Sequence, residues 1–248
     1  MNIVKHIPNT ITSMNLFFGV MGVIVSFSDK GGLETAFLFM LAAAVCDFCD
    51  GLSARLLKAY SELGKQLDSL ADMVSFGVLP SVMTYRLMAM TSHEGILCYI
   101  PLLIAVFSAL RLGKFNIDER QTDNFIGLPT PACAMICGSF AYYVSHDPSS
   151  ALYTWTCSRY FIPVCSIVLS ALLVSEIPMF SMKFKKDMKK GTPVYRQRIC
   201  LAGIILVATL AVIVLGLNWS FIILLVFTSY IIMNVMDLLF FSRRRKAV

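Results

Sequence analysis

Four aspartates occur within one apolar part of this sequence, in the segment DFCDGLSARLLKAYSELGKQLDSLAD. They form two pairs, Asp47 with Asp50 and Asp68 with Asp72, and each spacing places both members of a pair on one face of a helix. Facing carboxylates in a low-dielectric setting repel each other strongly unless positive charge lies between them. Because oxygen ligands favour hard cations, the pattern predicts a site for two divalent cations, Mg²⁺ or Mn²⁺, with Ca²⁺ as a further occupant.

The composition indicates that these aspartates belong to a membrane protein. Hydrophobic residues make up 57% of the 248 residues and charged residues only 15%, with a mean hydropathy of +0.74. A soluble chain of this length needs far more polar surface. We therefore expect an all-α, multi-pass integral membrane protein with about eight transmembrane helices of ~20 residues each. The expected spans are 10–28, 35–56, 66–90, 95–112, 128–146, 159–180, 199–216 and 219–240.

These spans divide the chain into three parts. Residues 1–180 would form a six-helix catalytic core, residues 181–198 a basic cytosolic loop, and residues 199–248 two additional helices with a basic tail. With the N-terminus in the cytosol, all of the 21 lysines and arginines except Lys30, Arg86 and Arg159 fall on the cytosolic side. The positive-inside rule then predicts a protein of the cytoplasmic (inner) membrane whose aspartates face the cytosol. This asymmetry also accounts for the net charge of +6, so no nucleic-acid partner is expected.

The residues between the two aspartate pairs favour a phosphate group as the ligand. Gly51 and Ala54 share a helical side with the first pair, and their small size lets a ligand approach the backbone. Arg55 adds a planar guanidinium whose paired N–H groups suit a phosphate. Gly64, which has no side chain, would let the ligand approach the backbone at a second place. A metal and phosphate site at a membrane surface is typical of phosphoryl transfer on a lipid.

The spacing of these residues resembles the signature of the CDP-alcohol phosphatidyltransferase family. Two further strings, 68–77 and 111–116 followed by 127–131, are similar to the branch of that family that uses L-serine as acceptor. The resemblance covers about the first six helices, and it implies transfer of a phosphatidyl group from CDP-diacylglycerol to serine with release of CMP. The matching signature is Asp47-x2-Asp50-Gly51-x2-Ala54-Arg55-x8-Gly64-x3-Asp68-x3-Asp72.

The resemblance also implies a division of roles among the aspartates. All four aspartates would hold metal, chiefly Asp47, Asp50 and Asp68, while Asp72 would lie near the second metal and also act as the catalytic base. A serine hydroxyl is a poor nucleophile, so a carboxylate that takes its proton is chemically reasonable. Because no histidine falls near the predicted site, direct displacement is favoured over a covalent intermediate.

Two further groups of residues are candidates for binding the substrates. The family's N-terminal pattern predicts a cytidine site at Asn9, Thr12 and Asn15, although Asn9 could instead cap the first helix. The carboxylate of the acceptor needs a cation, and Arg111 and Lys114 are candidates that could equally be interfacial anchors. The remaining candidates for shaping the acceptor pocket are Asn116, Pro129 and Thr130.

Two other functions fit the same residues. Glycerol 3-phosphate could be the acceptor, which would give phosphatidylglycerophosphate, but a dianionic phosphate should need a denser basic cluster. A divalent-cation transporter could use the same aspartates, yet transport sites usually lie near the bilayer midplane with access from both sides. The family resemblance and the two extra helices also favour a homodimer.

Overall fold

The computed structural model describes residues 6–29, 31–91, 95–117, 125–180 and 193–240, and these residues are almost entirely helical. Helices satisfy every backbone hydrogen bond within one segment, which a chain in lipid requires. The predicted basic loop and the C-terminal basic tail lie largely outside the described residues. The α-helices are α1 (Ile7–Val25), α2 (Gly32–Leu56), α3 (Glu62–Asp72), α4 (Leu79–Met90), α5 (Leu103–Ile117), α6 (Thr130–His146), α7 (Ala151–Thr156), α8 (Phe161–Val174), α9 (Pro193–Leu215) and α10 (Ser220–Phe240).

Two of the long helical segments, here called rods, combine different helical geometries. A π-helical segment, Met73–Val78, joins α3 to α4, so that one continuous rod runs over Glu62–Met90. A 3₁₀-helical segment, Ile96–Leu102, contains Pro101 and leads directly into α5. Periodicity in the sequence predicts the rods but does not reveal these changes of pitch, which depend on packing around them.

Six of the helices described are long and apolar enough to cross a membrane, so the chain is an all-α, multi-pass membrane protein. The predicted count of eight crossings is not established, because α6 has 17 residues and α8 has 14. The expected span 159–180 is also too long. Its helix ends at Val174, and the backbone is extended at Ser175. Pro178 follows, and a proline disfavours the helical conformation in the residue before it, here Ile177.

A short antiparallel ladder, which the sequence reading did not foresee, connects two loops at one end of the bundle. Strand β1 (Phe125–Ile126) pairs with strand β2 (Pro178–Met179). The ladder continues where the Gly127 amide donates to the Ile177 carbonyl oxygen at 2.9 Å. Gly127 has a φ of +77°, and a Cβ there would lie 2.7 Å from the carbonyl oxygen of Leu173. Only glycine fits this turn, which fixes the chain just before α6.

The helix α6 forms the centre of the bundle and packs against α2, α4 and α10. One buried apolar cluster lies between α6 and the pair α2 and α4, and it includes Phe37, Met40 and Met83. A second cluster joins α6 to α5, α8 and α10 through residues such as Ile104 and Tyr230. Because protein surrounds α6, this helix does not need the uniformly apolar surface of a lipid-facing span.

The antiparallel packing brings several helix ends to one end of the bundle. There α1, α3 and α6 begin, while α2 and α5 end, so all four aspartates lie at this end. The opposite end contains Arg86, whose guanidinium donates to the carbonyl oxygens of Ser26 and Phe27. It also contains His146, whose Nδ1 lies 3.6 Å from Oε1 of Glu34. Neither Arg86 nor His146 is therefore positioned to take part in chemistry at the aspartates.

Candidate active site

Three of the four aspartates converge on one point between α2 and α3. Asp47, Asp50 and Asp68 each offer a carboxylate oxygen, and these oxygens lie within 4.8 Å of one another. Asp50 is only 5% exposed. Among the described residues, Oδ2 of Asp50 and Oδ1 of Asp68 are buried and have no hydrogen-bond partner. Buried, unpartnered carboxylate oxygens are costly, and a hard divalent cation would satisfy them.

Asp72 lies one turn beyond Asp68, at the end of α3, and is not one of the three carboxylates that converge so closely. Its carboxyl group is near enough to Asp47 and Asp68 to interact with their charges. The Asn15 side-chain nitrogen of α1 lies 3.5 Å from Oδ1 of Asp72, at the long limit of a hydrogen bond. This arrangement separates a group of three carboxylates from a fourth that has its own polar neighbour.

Contacts between α1 and the π-helical segment fix the position of Asn15. The Ser75 hydroxyl donates to the Asn15 carbonyl oxygen at 3.0 Å, and Asn15 is completely buried. The sequence pattern grouped Asn15 with Asn9 and Thr12 as a cytidine site. The structure instead brings Asn15 to Asp72, one to two helical turns deeper along α1 than the other two residues.

A cleft of about 780 Å³ opens beside the three clustered aspartates, between the start of α1 and the connection from α2 to α3. It brings together six of the seven residues that the sequence assigned to the nucleotide diphosphate, with Asn15 the exception. The Thr12 hydroxyl donates to the Pro8 carbonyl oxygen at 3.0 Å and lies near the Asp50 carboxyl group. The predicted residues that line the cleft are Asn9, Thr12, Gly51, Ala54, Arg55 and Gly64.

The two glycines of the cleft have different surroundings. A Cβ added at Gly51 would find only Nη2 of Arg55 nearby, at 3.7 Å, so this face of α2 is open. A Cβ at Gly64 would lie 2.9 Å from Oδ1 of Asn9, so Gly64 makes room for α1. The Gly64 amide also donates to the hydroxyl of Ser61, the N-cap of α3, at 3.0 Å. Gly51 is therefore the glycine that leaves space for a ligand.

The cleft also contains residues that the sequence pattern did not predict as part of the site. Most belong to the eight-residue spacer between Arg55 and Gly64, which the signature leaves unspecified. A serine followed by glutamate is a helix-start signal, so Ser61 could have been placed at the base of α3. The additional lining residues are Pro8, Ala59, Tyr60, Ser61, Glu62 and Lys65.

Two of the predicted acceptor residues, Arg111 and Thr130, contact each other near Asp72. The Nη1 atom of Arg111, near the end of α5, donates to the Thr130 hydroxyl at 3.0 Å. Arg111 is 7% exposed, and its Nε is buried without a hydrogen-bond partner among the described residues. The guanidinium is near enough to Asp72 to interact with its charge. Pro129 is the N-cap residue of α6 and so sets the position of Thr130.

The other two predicted acceptor residues make contacts elsewhere. The Lys114 ammonium lies 3.8 Å from Oε1 of Glu176, and both side chains are well exposed. The Asn116 side-chain nitrogen donates to the Ser69 hydroxyl at 2.9 Å, which ties the end of α5 to α3. Both residues therefore have partners other than Arg111 and Thr130. The buried pair Arg111 and Thr130 is therefore the more specific candidate for an anionic ligand.

Comparison with known proteins agrees with this arrangement. A family model for CDP-alcohol phosphatidyltransferase matches residues 5–175. The CDP-diacylglycerol–serine O-phosphatidyltransferase of Bacillus subtilis is 32% identical over 190 residues, which cover 75% of this chain and 98% of that protein. The Mycobacterium leprae protein of the same name is 33% identical, covering 71% of this chain and 58% of its own length. An archaetidylserine synthase of Methanothermobacter thermautotrophicus is 30% identical, covering 69% and 68%.

The match includes every element that builds the aspartate cluster and the cleft, from α1 to α3, as well as Arg111 and Thr130. The carboxylates, the open glycine face and the basic rim are the parts that a metal and diphosphate site requires. On the extent of this match, the chain belongs to the CDP-alcohol phosphatidyltransferase family of membrane enzymes.

Proposed function

We propose that this enzyme transfers the phosphatidyl group of CDP-diacylglycerol to the hydroxyl of L-serine, producing phosphatidylserine and CMP. One observation carries the proposal: Asp72 is near enough to interact with the charges of both the carboxylate cluster and the buried Arg111. A donor at the cleft and an acceptor at Arg111 would thus both lie near one carboxylate. The names of the relatives support serine as the acceptor.

Asp47, Asp50 and Asp68 would hold the divalent cations, with Asp72 beside the second, and Mg²⁺ or Mn²⁺ suits their oxygen ligands. When bound, the cations would polarise the diphosphate and stabilise the charge that develops on the departing CMP. The convergence of three carboxylate oxygens and the two unpartnered buried oxygens support this assignment.

The protein's own residues orient the donor. Arg55, at the rim of the cleft, carries a guanidinium that suits a diphosphate, and its Nε already donates to the Gly51 carbonyl oxygen at 2.9 Å. That contact leaves the two terminal nitrogens for a ligand. Asn9 and Thr12 line the same cleft from α1 and would contact the cytidine. The acyl chains would remain in the surrounding lipid.

In the transfer itself, Asp72 would act as the general base. Its carboxylate takes the proton of the serine hydroxyl as that oxygen forms a bond to the β-phosphorus of the donor, the phosphorus that carries the diacylglycerol. The bond from this phosphorus to the bridging oxygen breaks, and CMP leaves with the electron pair. The Asn15 amide beside Asp72 would keep the carboxylate turned toward the acceptor. This is a direct displacement, with no covalent enzyme intermediate.

Arg111 would bind the carboxylate of the serine acceptor. A buried guanidinium with one hydrogen bond and a buried, unpartnered Nε has donor capacity to spare, and pairing with an anion offsets the cost of burying the charge. A carboxylate matches this fork in shape and charge. The Thr130 hydroxyl holds the guanidinium by accepting a hydrogen bond from its Nη1 atom.

The lysines and arginines of the chain support an orientation in the cytoplasmic membrane with the cleft facing the cytosol. CDP-diacylglycerol would enter from the bilayer and serine from the cytosol. The homodimer that the sequence favours stays a prediction.

The test of this function is CMP release by purified protein with CDP-diacylglycerol, Mn²⁺ and one acceptor at a time. We expect release with L-serine and little with glycerol 3-phosphate, glycerol or inositol. Preference for glycerol 3-phosphate would refute serine specificity, and no release with any acceptor would refute the enzyme assignment.

The open face at Gly51 leads to a prediction about the donor. Gly51→Ala should leave the fold intact or stabilise it by ~0.5–1 kcal/mol, because alanine favours helix over glycine and the new methyl group meets nothing closer than 3.7 Å. The methyl group would nevertheless occupy space that the diphosphate needs. We expect KM for CDP-diacylglycerol to rise about tenfold, with KM for serine unchanged. An unaltered donor KM would show that the ligand does not approach this face.

A second prediction concerns Arg111. Arg111→Lys keeps the charge but loses the fork, so KM for serine should rise about ten- to one-hundredfold, the effect of losing ~1.5–3 kcal/mol from a charged hydrogen bond. KM for CDP-diacylglycerol should change little. The matched control is Lys114→Arg, at an exposed position paired with Glu176. Equal effects of both variants on serine would contradict a specific role for Arg111.

A further inference from the structure

The last helix lies beyond the part of the chain that the family model matches, which ends at residue 175. Even so, α10 packs against α6 and against strand β2. Its inward face includes two polar side chains that are almost fully buried, Tyr230 at 1% exposure and Asn234 at 2%. Burying polar groups is costly unless they are hydrogen-bonded, so their partners indicate what this helix does.

Both side chains bind the backbone of one residue, Phe180, which follows β2. The Tyr230 hydroxyl donates to the Phe180 carbonyl oxygen at 3.0 Å. The Phe180 amide donates to Oδ1 of Asn234, also at 3.0 Å. The Asn234 amide group in turn donates to the Tyr230 carbonyl oxygen at 2.7 Å, which orients it. The rings of Phe180 and Tyr230 pack edge to face at 5.1 Å, so α10 holds this residue by both its donor and its acceptor.

Tyr230 and Asn234 thus form a clamp on Phe180. Phe180 connects this clamp to the acceptor side of the active site. Strand β2 ends at Met179 and pairs with β1, whose chain continues through Gly127 and Pro129 into Thr130. Thr130 is the residue that accepts a hydrogen bond from Arg111. The Tyr230 side chain also belongs to the same buried cluster as Leu128 and Ala132, on either side of Thr130. Its phenol is close enough to Arg111 for an electrostatic interaction.

We propose that Tyr230 and Asn234 of α10 are positioning residues for the acceptor site, acting through Phe180 and the β1–β2 ladder on Thr130 and Arg111. This inference rests on the proposed function, and it assigns the C-terminal helix a part in acceptor binding. Neither side chain would touch the substrate. Their effect would be to hold the guanidinium in the one orientation that suits a carboxylate.

The clamp contributes no residue to the donor side. The cleft is lined by residues of α1, α2, α3 and the connection between α2 and α3, whereas the main packing partners of α10 are α6, α9 and β2. Loosening the clamp should therefore weaken binding of the acceptor and leave binding of the donor unchanged. If α10 merely stabilised the fold, disturbing it would change the KM values for both substrates alike.

The experiment compares Tyr230→Phe with Thr228→Val in purified protein. Tyr230→Phe removes only the hydroxyl that binds Phe180, while Thr228 is an exposed residue whose hydroxyl donates to Leu224 within the same helix. We expect Tyr230→Phe to raise KM for serine about three- to tenfold, the effect of one hydrogen bond. KM for CDP-diacylglycerol should stay unchanged, and Thr228→Val should behave like the unsubstituted enzyme.

Unchanged kinetics of Tyr230→Phe, or equal changes in both KM values, would overturn the inference. If Tyr230→Phe lowers the melting temperature so far that kinetics cannot be measured, Asn234→Ala is judged by the same comparison, and loss of the fold there too would mean a purely structural role. If the unsubstituted enzyme prefers another acceptor over serine, the proposed function fails. The clamp is then tested on the KM of that acceptor, so the two failures remain distinguishable.

Discussion

Asp72→Asn should lower serine-dependent CMP release by about 10²- to 10⁴-fold, the usual contribution of a general base. The amide has the same shape as the carboxylate but cannot take a proton from the serine hydroxyl. Asp72 is also the fourth carboxylate, set apart from the three that converge. Loss of activity should therefore occur in kcat, with a well-folded protein and nearly unchanged binding of CDP-diacylglycerol.

The control for this variant is Asp29→Asn, which removes a carboxylate from the connection between α1 and α2 at the opposite end of the bundle. It should retain full activity. Asp72→Asn that keeps more than about a tenth of the original rate would show that another group takes the proton. A variant that loses both activity and donor binding would instead make Asp72 primarily a ligand of the metal.

Asp68→Asn should remove both activity and metal-dependent stabilisation. In the unsubstituted protein, a divalent cation at 100 times its dissociation constant should stabilise the fold by about 2.7 kcal/mol. The variant lacks one of the three converging carboxylates, so Mn²⁺ should no longer raise its melting temperature. In the absence of metal, however, the variant should melt at a higher temperature than the unsubstituted protein, because repulsion among the carboxylates is weaker.

Thermal unfolding with and without Mn²⁺ measures this directly and requires no substrate. Asp237→Asn, a change on the last helix outside the cluster, should keep the full metal-dependent shift. An Asp68→Asn protein that Mn²⁺ stabilises as strongly as the original would refute Asp68 as a ligand. Equal melting temperatures of the two metal-free proteins would show that the carboxylates do not repel each other at this site.

The sequence was sufficient to predict the aspartate cluster because its signal is local. Asp47 and Asp50 lie on one helix and Asp68 on the next, and a short connection leaves the two helices antiparallel. The small residues at Gly51 and Ala54 follow the same helical period. Six of the seven predicted nucleotide residues accordingly line one cleft.

The position of Asn15 could not be derived in the same way. Asn15 follows Thr12 at helical spacing, but its partners lie on another helix. Ser75, in the π-helical segment after Asp72, contacts the Asn15 backbone, and Asp72 itself lies near the Asn15 side chain. Such a change of pitch has no reliable signal in a single sequence, since it depends on which partners surround the helix.

The contacts on the acceptor side were the hardest to derive from the sequence, because this side is assembled from distant segments. Arg111 and Thr130 meet as expected, whereas Lys114 and Asn116 pair with Glu176 and Ser69. The β1–β2 ladder joins residues about fifty positions apart through strands of two residues each. Tyr230 and Asn234 read as ordinary members of an apolar helix, and only their contacts with Phe180 distinguish them.

The most direct test of serine phosphatidyl transfer is the identity of the lipid that the purified enzyme makes. Isotope-labelled L-serine is incubated with CDP-diacylglycerol vesicles, Mn²⁺ and either the unsubstituted protein or Asp72→Asn, and the lipid phase is then extracted. We predict labelled phosphatidylserine in a one-to-one ratio with released CMP, and almost none with the variant. Release of CMP without label in the lipid, or equal labelling by both proteins, would contradict the account.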